Sequence, residues 1–476
     1  MAKVQERLAI LSLNIFCRPE GIHSGQWLAK TGDHKDLRVA LLLEKMAKFD
    51  VVLLQEMFEA GTRQAQFVQK AFDLGFHYHC GSVWPQLLGS RLIDGGLLIL
   101  SRYPIVDRDQ MMYSQGAGSD GMCAKGVLYA RIQLSPEPSD SLHVFTTHTQ
   151  AGDRLREYTI RLSQLQEMHK FLAKHIDKDP DVPVLITGDF NLDARHDLVH
   201  DPRTGAAYST RCRESRVYQQ LVADVERVVR EARLKAAGNT GEQVMDSSSS
   251  NSLVVDLMKH CDTTKLGDEV HPITNGDGHS LLVHETDPLS LDKDGKCIDY
   301  MFFVPKARAA AAAIGKTIAT NDNDSIDRDG NKHKGHESGE EIALPRFQLT
   351  LVKDATLVDH CSVAELVKDG AHEGYSTMGN HLRQHPLPIT HLSDHYGLRA
   401  LFSLELMSMK RPDGQCMDKN ESLLSVLQLH FPHRIFAQKP QRLWKWKLAF
   451  TLFAIVAAAG SVTLVTIRTM LNAVVS

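Results

Sequence analysis

The chain has 476 residues, 43% of them hydrophobic, with a formal net charge of −4 and a pI near 6.7. That length can bury one large α/β core or two smaller ones. The acidic balance argues against a strongly basic nucleic-acid-binding surface, and eight scattered cysteines without a CxxC pair or zinc-like His/Cys spacing fit a reducing compartment.

The N-terminal MAKVQERLAILSLN holds one short apolar run and no small-residue cleavage site. It does not read as a secretory signal, so the catalytic part is expected in the cytosol. Strands are predicted over residues 8–13, 51–54, 97–100, 127–132, 143–147, 184–187, 301–304, 347–352 and 398–404, where β-branched and apolar residues run together. Helices are predicted between several of them. One carries Val39, Leu42, Leu43 and Met46 at i, i+3, i+4 and i+7; another takes Asp153 as N-cap and carries Leu155, Tyr158, Leu162, Leu165, Met168 and Leu172. This order predicts an α/β fold with packed sheets over residues 1–405.

Two stretches read as mobile insertions, 236–252 with its SSSSNS run and 307–341 with an alanine tract followed by a charged segment. In the second, IGKT lacks the first glycine of a phosphate loop, since position 310 is Ala310. The DRDG and DKDG turns lack the twelfth-position carboxylate of a calcium loop, having His336 and Met301 there. Residues 406–447 read as a polar juxtamembrane linker with an amphipathic stretch near 423–429. Residues 448–467, LAFTLFAIVAAAGSVTLVTI, carry no charge. At ~1.5 Å per residue they span a ~30 Å hydrocarbon core. Trp444, Trp446, Lys439, Arg442, Lys445 and Lys447 form an aromatic and cationic collar before this segment, against Arg468 after it. A single-pass C-terminal anchor is therefore expected, with the bulk of the chain on the cytosolic side and 468–476 as a short tail.

Polar residues recur where the predicted strands end or begin: Asn14, Gln55 and Glu56, His148, Asp189 and Asn191, Asp299, then Asp394 and His395. One such residue is ordinarily a cap or a turn, but six strand-terminal sites drawn from across the chain are hard to assign to turns. Phosphodiester hydrolysis needs a hard cation, a base for water and donors around the phosphoryl oxygens. Glu56 and Asn14 supply oxygen ligands of the kind Mg²⁺ prefers. His395 is the natural base, Asp299 the carboxylate that would fix its tautomer, and His148 a donor to phosphate.

The motifs LLQE, TTH, GDFN, IDY and SDH, in that order, resemble the endonuclease/exonuclease/phosphatase superfamily, the fold of DNase I, over about residues 9–404. Within it, GGLLILSRYPI from Gly95, AKGVLYARI from Ala124 and HTQA from His148 are similar to neutral sphingomyelinases and to inositol-phosphosphingolipid phospholipases C of fungi and protozoa. The resemblance implies a four-layer α/β sandwich of two packed mixed sheets flanked by helices. It also implies one Mg²⁺, with Mn²⁺ able to substitute, held by Glu56 as principal ligand with Asn14 beside it and Asp394 assisting. Asp189 and Asn191 would orient water and hold a phosphoryl oxygen, His395 would activate the nucleophile and His148 would steady the phosphate or leaving oxygen. Lys125 lies in the loop GAGSDGMCAKG, where it can reach a phosphate or pair with Asp120. The family carries an aspartate and a lysine here, which implies a regulatory loop.

The implied substrate is a membrane phosphosphingolipid, with anionic lipids as candidate activators and no nucleic acid. Choline against inositol phosphate stays open, because the long insertions between Asn191 and Asp299 and between Val304 and Phe347 flank the expected substrate mouth. Rival readings are a nuclease or an inositol polyphosphate phosphatase of the same fold, or a membrane scaffold on a non-catalytic hydrolase fold. The first is opposed by the acidic charge and the second by the lack of a dense Lys/Arg cluster near SDHYGL. The scaffold would require a lost site residue, and the sequence shows none.

Overall fold

The computed structural model describes residues 3–17, 34–58, 63–82, 91, 93–238, 252–261, 270–275, 295–307, 347–352, 356–363, 366, 389–407 and 422–431. The chain divides into two units, Met1–His433 and Arg434–Ser476. The predicted anchor at 448–467 and its collar lie outside the described residues, as do 239–251 and 308–341 of the two predicted insertions. Among the described residues no helix is long and apolar enough to cross a membrane.

The first sheet contains β1 (Lys3–Cys17), β2 (Val51–Met57), β3 (Tyr78–Gly81), β4 (Leu98–Ser101), β13 (Phe347–Leu351), β14 (Leu357–Asp359) and β15 (Gly397–Met407). Its order is β13-β15-β1-β2-β4-β3, with β14 also paired to β15. The second contains β5 (Ile105–Met112), β6 (Gly126–Gln133), β7 (Ser141–His148), β8 (Val184–Asp189), β11 (Val255–Asp256) and β12 (Asp299–Val304), in the order β11-β12-β8-β7-β6-β5. Both are mixed, because β1 and β2 run parallel, as do β7 and β8, while their other neighbours run antiparallel. A separate hairpin joins β9 (His196–His200) to β10 (Ala207–Arg211).

The two sheets face each other over a core that includes Ile10, Leu53, Ile99, Ala130, Val144, Leu185, Met301 and Phe402. Their outer faces are covered too. Leu11, Leu13, Val52 and Leu54 pack against α1 (Lys35–Met46) and α2 (Arg63–Asp73). Phe145, Val184, Ile186 and Phe302 pack against α3 (Leu155–Ile176) and α4 (Arg216–Ala236). Helix, sheet, sheet and helix give the four-layer sandwich. Burial on both faces explains why the central strands read as unbroken apolar runs.

Three local expectations are corrected. Asp153 does not cap α3: Arg154 occupies that position in extended conformation, while Asp153 receives Lys296 Nζ at 2.6 Å and Arg161 Nη2 at 3.6 Å. The segment after Asn191, read as an insertion, contains α4, capped by the Ser215 side chain and buried through Tyr218, Leu221, Val225, Val228 and Ala232. The stretch near 423–429 is not free linker but α5 (Leu423–His430), whose Leu423 and Leu427 enter the inter-sheet core. Leu423 N donates to Glu6 Oε1 at 2.5 Å, so this helix start is tied to β1.

Candidate active site

Register brings the polar strand ends abreast. His148 is paired with Asp189, and Asp189 is paired across with Asp299. On the facing sheet Asn14 stands level with Gln55, one residue before Glu56, and the turn ahead of β15 delivers His395. The carboxyl ends of two parallel pairs open on one edge, and the antiparallel β12 and β15 begin there. Glu56 and Asn191 adopt left-handed φ of 54° and 47°. Such backbone costs on the order of 1–3 kcal/mol per residue and persists where the surroundings enforce it. Gly188 is required beside them, since a Cβ there would lie 2.1 Å from the Thr147 carbonyl oxygen.

Asn14 Nδ2 donates to Asp189 Oδ2 at 2.9 Å and to Glu56 Oε1 at 3.1 Å, and lies 3.5 Å from His395 Nε2. His148 Nε2 is 3.4 Å from Asp189 Oδ2 and 3.8 Å from Glu56 Oε1. His395 Nε2 is 3.8 Å from Asp189 Oδ2, and its Nδ1 is 2.9 Å from Asp299 Oδ2. Six residues drawn from both ends of the domain therefore meet in one buried cluster, with Asp189 at its centre. Two ligand groups share that carboxylate, Glu56/His148/Asp189 and Asp189/Asp299/His395, each with donor atoms within 4.8 Å of one another. Carboxylates this close, with Asp189 1% exposed, repel each other unless a cation lies between them. A small, oxygen-rich donor set that leaves room for water suits Mg²⁺, so the residues present fit the metal.

The sequence profile of the Endonuclease/Exonuclease/phosphatase family matches residues 11–315. The chain belongs to the endonuclease/exonuclease/phosphatase family. It is similar to a sphingomyelinase of Dictyostelium discoideum, 36% identical over an alignment of 190 residues, with 34% of this chain and 41% of the relative covered. A sphingomyelinase C of Listeria ivanovii is 36% identical over 172 residues, covering 33% and 49% of the two chains. The matched part thus spans less than half the length of these curated relatives. The solved structure of a doubly substituted Staphylococcus aureus beta toxin with bound magnesium ions aligns with a TM-score of 0.42 at 17% identity, covering 83% of this chain and 99% of the toxin.

In this family member, burial and charge shift the two histidines in opposite directions. Burial presses His148 well below the usual imidazole range, the Lys125 ammonium reinforces this, and Asp189 opposes it. Burial also works against protonated His395, but Asp299, Asp189 and Asp394 outweigh it and raise that imidazole well above its usual range. Burial pushes the Asp299 carboxyl up to about 6, although His395 favours its charged form. The pair shares a proton, which we assign to His395 Nδ1 because Asp299 also accepts from Thr274, as suits a carboxylate. Asp189 stays below the usual carboxylate range: burial would raise it, and His395, His148 and Lys125 lower it by more.

The other predicted residues sit around this centre. Asn14 turns its amide nitrogen to the carboxylates and uses Oδ1 to accept the Phe16 N–H at 3.0 Å, so acting as an oxygen ligand requires the amide to turn. Asn191 donates Nδ2 to the Thr149 carbonyl at 3.2 Å, and its N–H goes to Asp189 Oδ1 at 2.8 Å. Asp394 is in neither ligand group; its Oδ1 receives Ser393 Oγ at 3.3 Å and its carbonyl receives Asn275 Nδ2 at 3.2 Å.

Lys125 Nζ donates to Asp120 Oδ2 at 2.7 Å, to His148 Nε2 at 2.9 Å and to the Thr149 carbonyl at 2.9 Å. Asp120 lies on the 3₁₀ turn Gly118–Met122 and also accepts the Ala151 N–H at 2.7 Å. Arg91, not singled out from the sequence, holds this turn with its guanidinium through the carbonyls of Gly121 at 2.6 Å and Asp120 at 3.4 Å, and ties it to the end of β5 through the Tyr113 carbonyl at 3.3 Å. No motif or period marks it. A cavity of about 740 Å³ lies against the same turn, lined by Arg91, Gly121, Leu155, Arg156 and Ile160; none of the six cluster residues lines it.

Proposed function

We propose that the chain is a Mg²⁺-dependent phosphodiesterase of phospholipase C type that hydrolyses sphingomyelin or inositol phosphoceramide to ceramide and phosphocholine or inositol phosphate. One observation carries this: Asn14, Glu56, His148, Asp189, Asp299 and His395 meet at one edge of the sandwich. In its neutral form His395 takes, at Nε2, the proton of a water whose oxygen attacks phosphorus, and the carboxylates of Asp299 and Asp189 that raise its proton affinity stabilise the imidazolium so formed. Asp299 holds Nδ1–H and so fixes the tautomer that leaves Nε2 free to accept. As the new P–O bond forms, the bond to the ceramide oxygen breaks; that oxygen takes a proton from solvent, and His395 returns to solvent the proton it took from the attacking water.

A divalent cation held by Glu56 and Asp189, with Asn14 beside it, would offset the charge that develops on the phosphoryl oxygens. Mn²⁺ would meet the same donors. The choice of a phosphosphingolipid over DNA is supported by the sphingomyelinase relatives and by the net charge of −4. In the turn state described, Lys125 occupies His148 Nε2, so that imidazole donates to phosphate only once the ammonium moves away. The Asp120–Lys125 pair accordingly acts as a switch on the site. Residues 448–467 anchor the chain with its catalytic unit on the cytosolic face, where anionic lipids act as activators.

The test is a headgroup-release assay on the full chain with Mg²⁺, comparing mixed micelles of sphingomyelin, inositol phosphoceramide and lyso-phosphatidylcholine with linear DNA. Release of phosphocholine or inositol phosphate from a sphingolipid is expected. Nucleotide release from DNA without release from either sphingolipid would overturn the assignment.

A further inference from the structure

Residues 270–275 cross between the segments that deliver Asp299 and His395. Asn275 pairs its backbone with Lys296 and forms a bridge to His395. One residue earlier, Thr274 is fully buried. Its Oγ1 accepts the N–H of Ile298 at 3.0 Å and that of Asp299 at 3.1 Å, and its hydroxyl also bonds the Asp299 carboxylate. A hydroxyl offers one proton and two lone pairs, so all of its hydrogen-bonding capacity is spent on the start of β12 and on Asp299. The Thr274 carbonyl accepts the N–H of Tyr396, the residue after His395, at 2.8 Å. A single buried residue thus grips Asp299 by its side chain and the His395 segment by its backbone.

We propose that Thr274 is the positioning residue of the His395–Asp299 pair, fixing the carboxylate against the imidazole and so the aim of Nε2. This rests on the reading of His395 as the base that takes a proton from water. Thr274 touches neither water nor phosphate in that scheme; it acts through Asp299. Misplacing a catalytic group by about 1 Å costs on the order of 100-fold in rate, which gives a buried hydroxyl at this point its leverage.

The test compares Thr274→Val, which keeps the shape and removes the hydroxyl, with Thr274→Ser, which keeps the hydroxyl and removes the methyl. Should the valine variant unfold, Thr274→Ala makes the same comparison. Expected for loss of the hydroxyl are a fall in kcat of about tenfold or more, KM within about twofold of wild type, and recovery to within about threefold in Thr274→Ser. The His395 Nδ1–H proton resonance, identified by its absence in His395→Ala, should shift or broaden in Thr274→Val and stay in place in Thr274→Ser. An unchanged kcat and resonance in Thr274→Val, or a serine variant as impaired as the valine one, overturns the proposal. Full activity in His395→Ala would instead remove the base assignment beneath it, and the resonance reports the pair whether or not the chosen lipid is turned over.

Discussion

Lys125 Nζ and His148 Nε2 lie 2.9 Å apart, with the ammonium donating to the imidazole. His148 therefore carries its proton on Nδ1, which finds no hydrogen-bond partner among the described residues. Lys125→Ala removes both the block on His148 and the cation that reaches substrate phosphate. A fall in kcat of about tenfold is expected, with circular dichroism unchanged. Headgroup release within about twofold of wild type would show that Lys125 is only a structural partner of Asp120.

His395→Ala takes away the proposed proton acceptor, so kcat should fall by about 10²–10⁴-fold with substrate binding retained. Vesicle co-sedimentation together with turnover separates the two effects. Turnover above about a tenth of wild type would assign the base elsewhere.

Two histidines outside the catalytic cluster add to the response to acid. Burial holds both His143 and His169 near 4, against about 6.5 in the unfolded chain. Nδ1 of His143 meets the Tyr129 hydroxyl at 2.8 Å, and His169 Nε2 is buried with no partner among the described residues. Between about pH 6.5 and about 4 the unfolded chain takes up protons that the folded one refuses, so stability is fully present above that window and falls as pH drops through it. Each residue contributes a slope of about 1.4 kcal/mol per pH unit. Urea unfolding of His169→Leu across this range should show a slope shallower by about that amount. An identical slope would mean that His169 titrates normally in the fold.

The docking of α5 makes its two leucines part of the domain. Leu427→Ala should lower unfolding free energy by about 2–5 kcal/mol, as for a core leucine, against less than about 0.5 kcal/mol for a solvated linker. Chemical denaturation distinguishes these values. Deleting residues 448–476 should leave a soluble enzyme that still hydrolyses dispersed substrate but no longer sediments with vesicles. Aggregation of that truncated chain would place the segment in a core instead of a bilayer.

The central strands and the six clustered residues were legible in the sequence for the same reason. A strand buried on both faces writes a continuous apolar run, and the residue that breaks it is the one that faces the cleft. What escaped lacked such a contrast. β5 and the hairpin strands β9 and β10 are half-exposed, so their polar residues hide the strand period. α4 did carry helical spacing at Tyr218, Leu221, Val225, Val228 and Ala232, but the segment's length between Asn191 and Asp299 made it read as an insertion. Arg91 and Thr274 act through backbone carbonyls and amides, which place no demand on neighbouring residue types. The orientation of the Asn14 amide follows from the Phe16 N–H across a left-handed turn, a feature of backbone angles and not of composition.

The most direct measurement is a Mg²⁺ titration of headgroup release by chelator-stripped wild type and by Glu56→Gln. Stripped wild type should be inactive and recover fully with Mg²⁺, while Glu56→Gln should need at least about tenfold more Mg²⁺ and reach a far lower rate. Equal release by stripped and Mg²⁺-loaded wild type, or an unchanged Mg²⁺ dependence in Glu56→Gln, would contradict a cation held between Glu56 and Asp189.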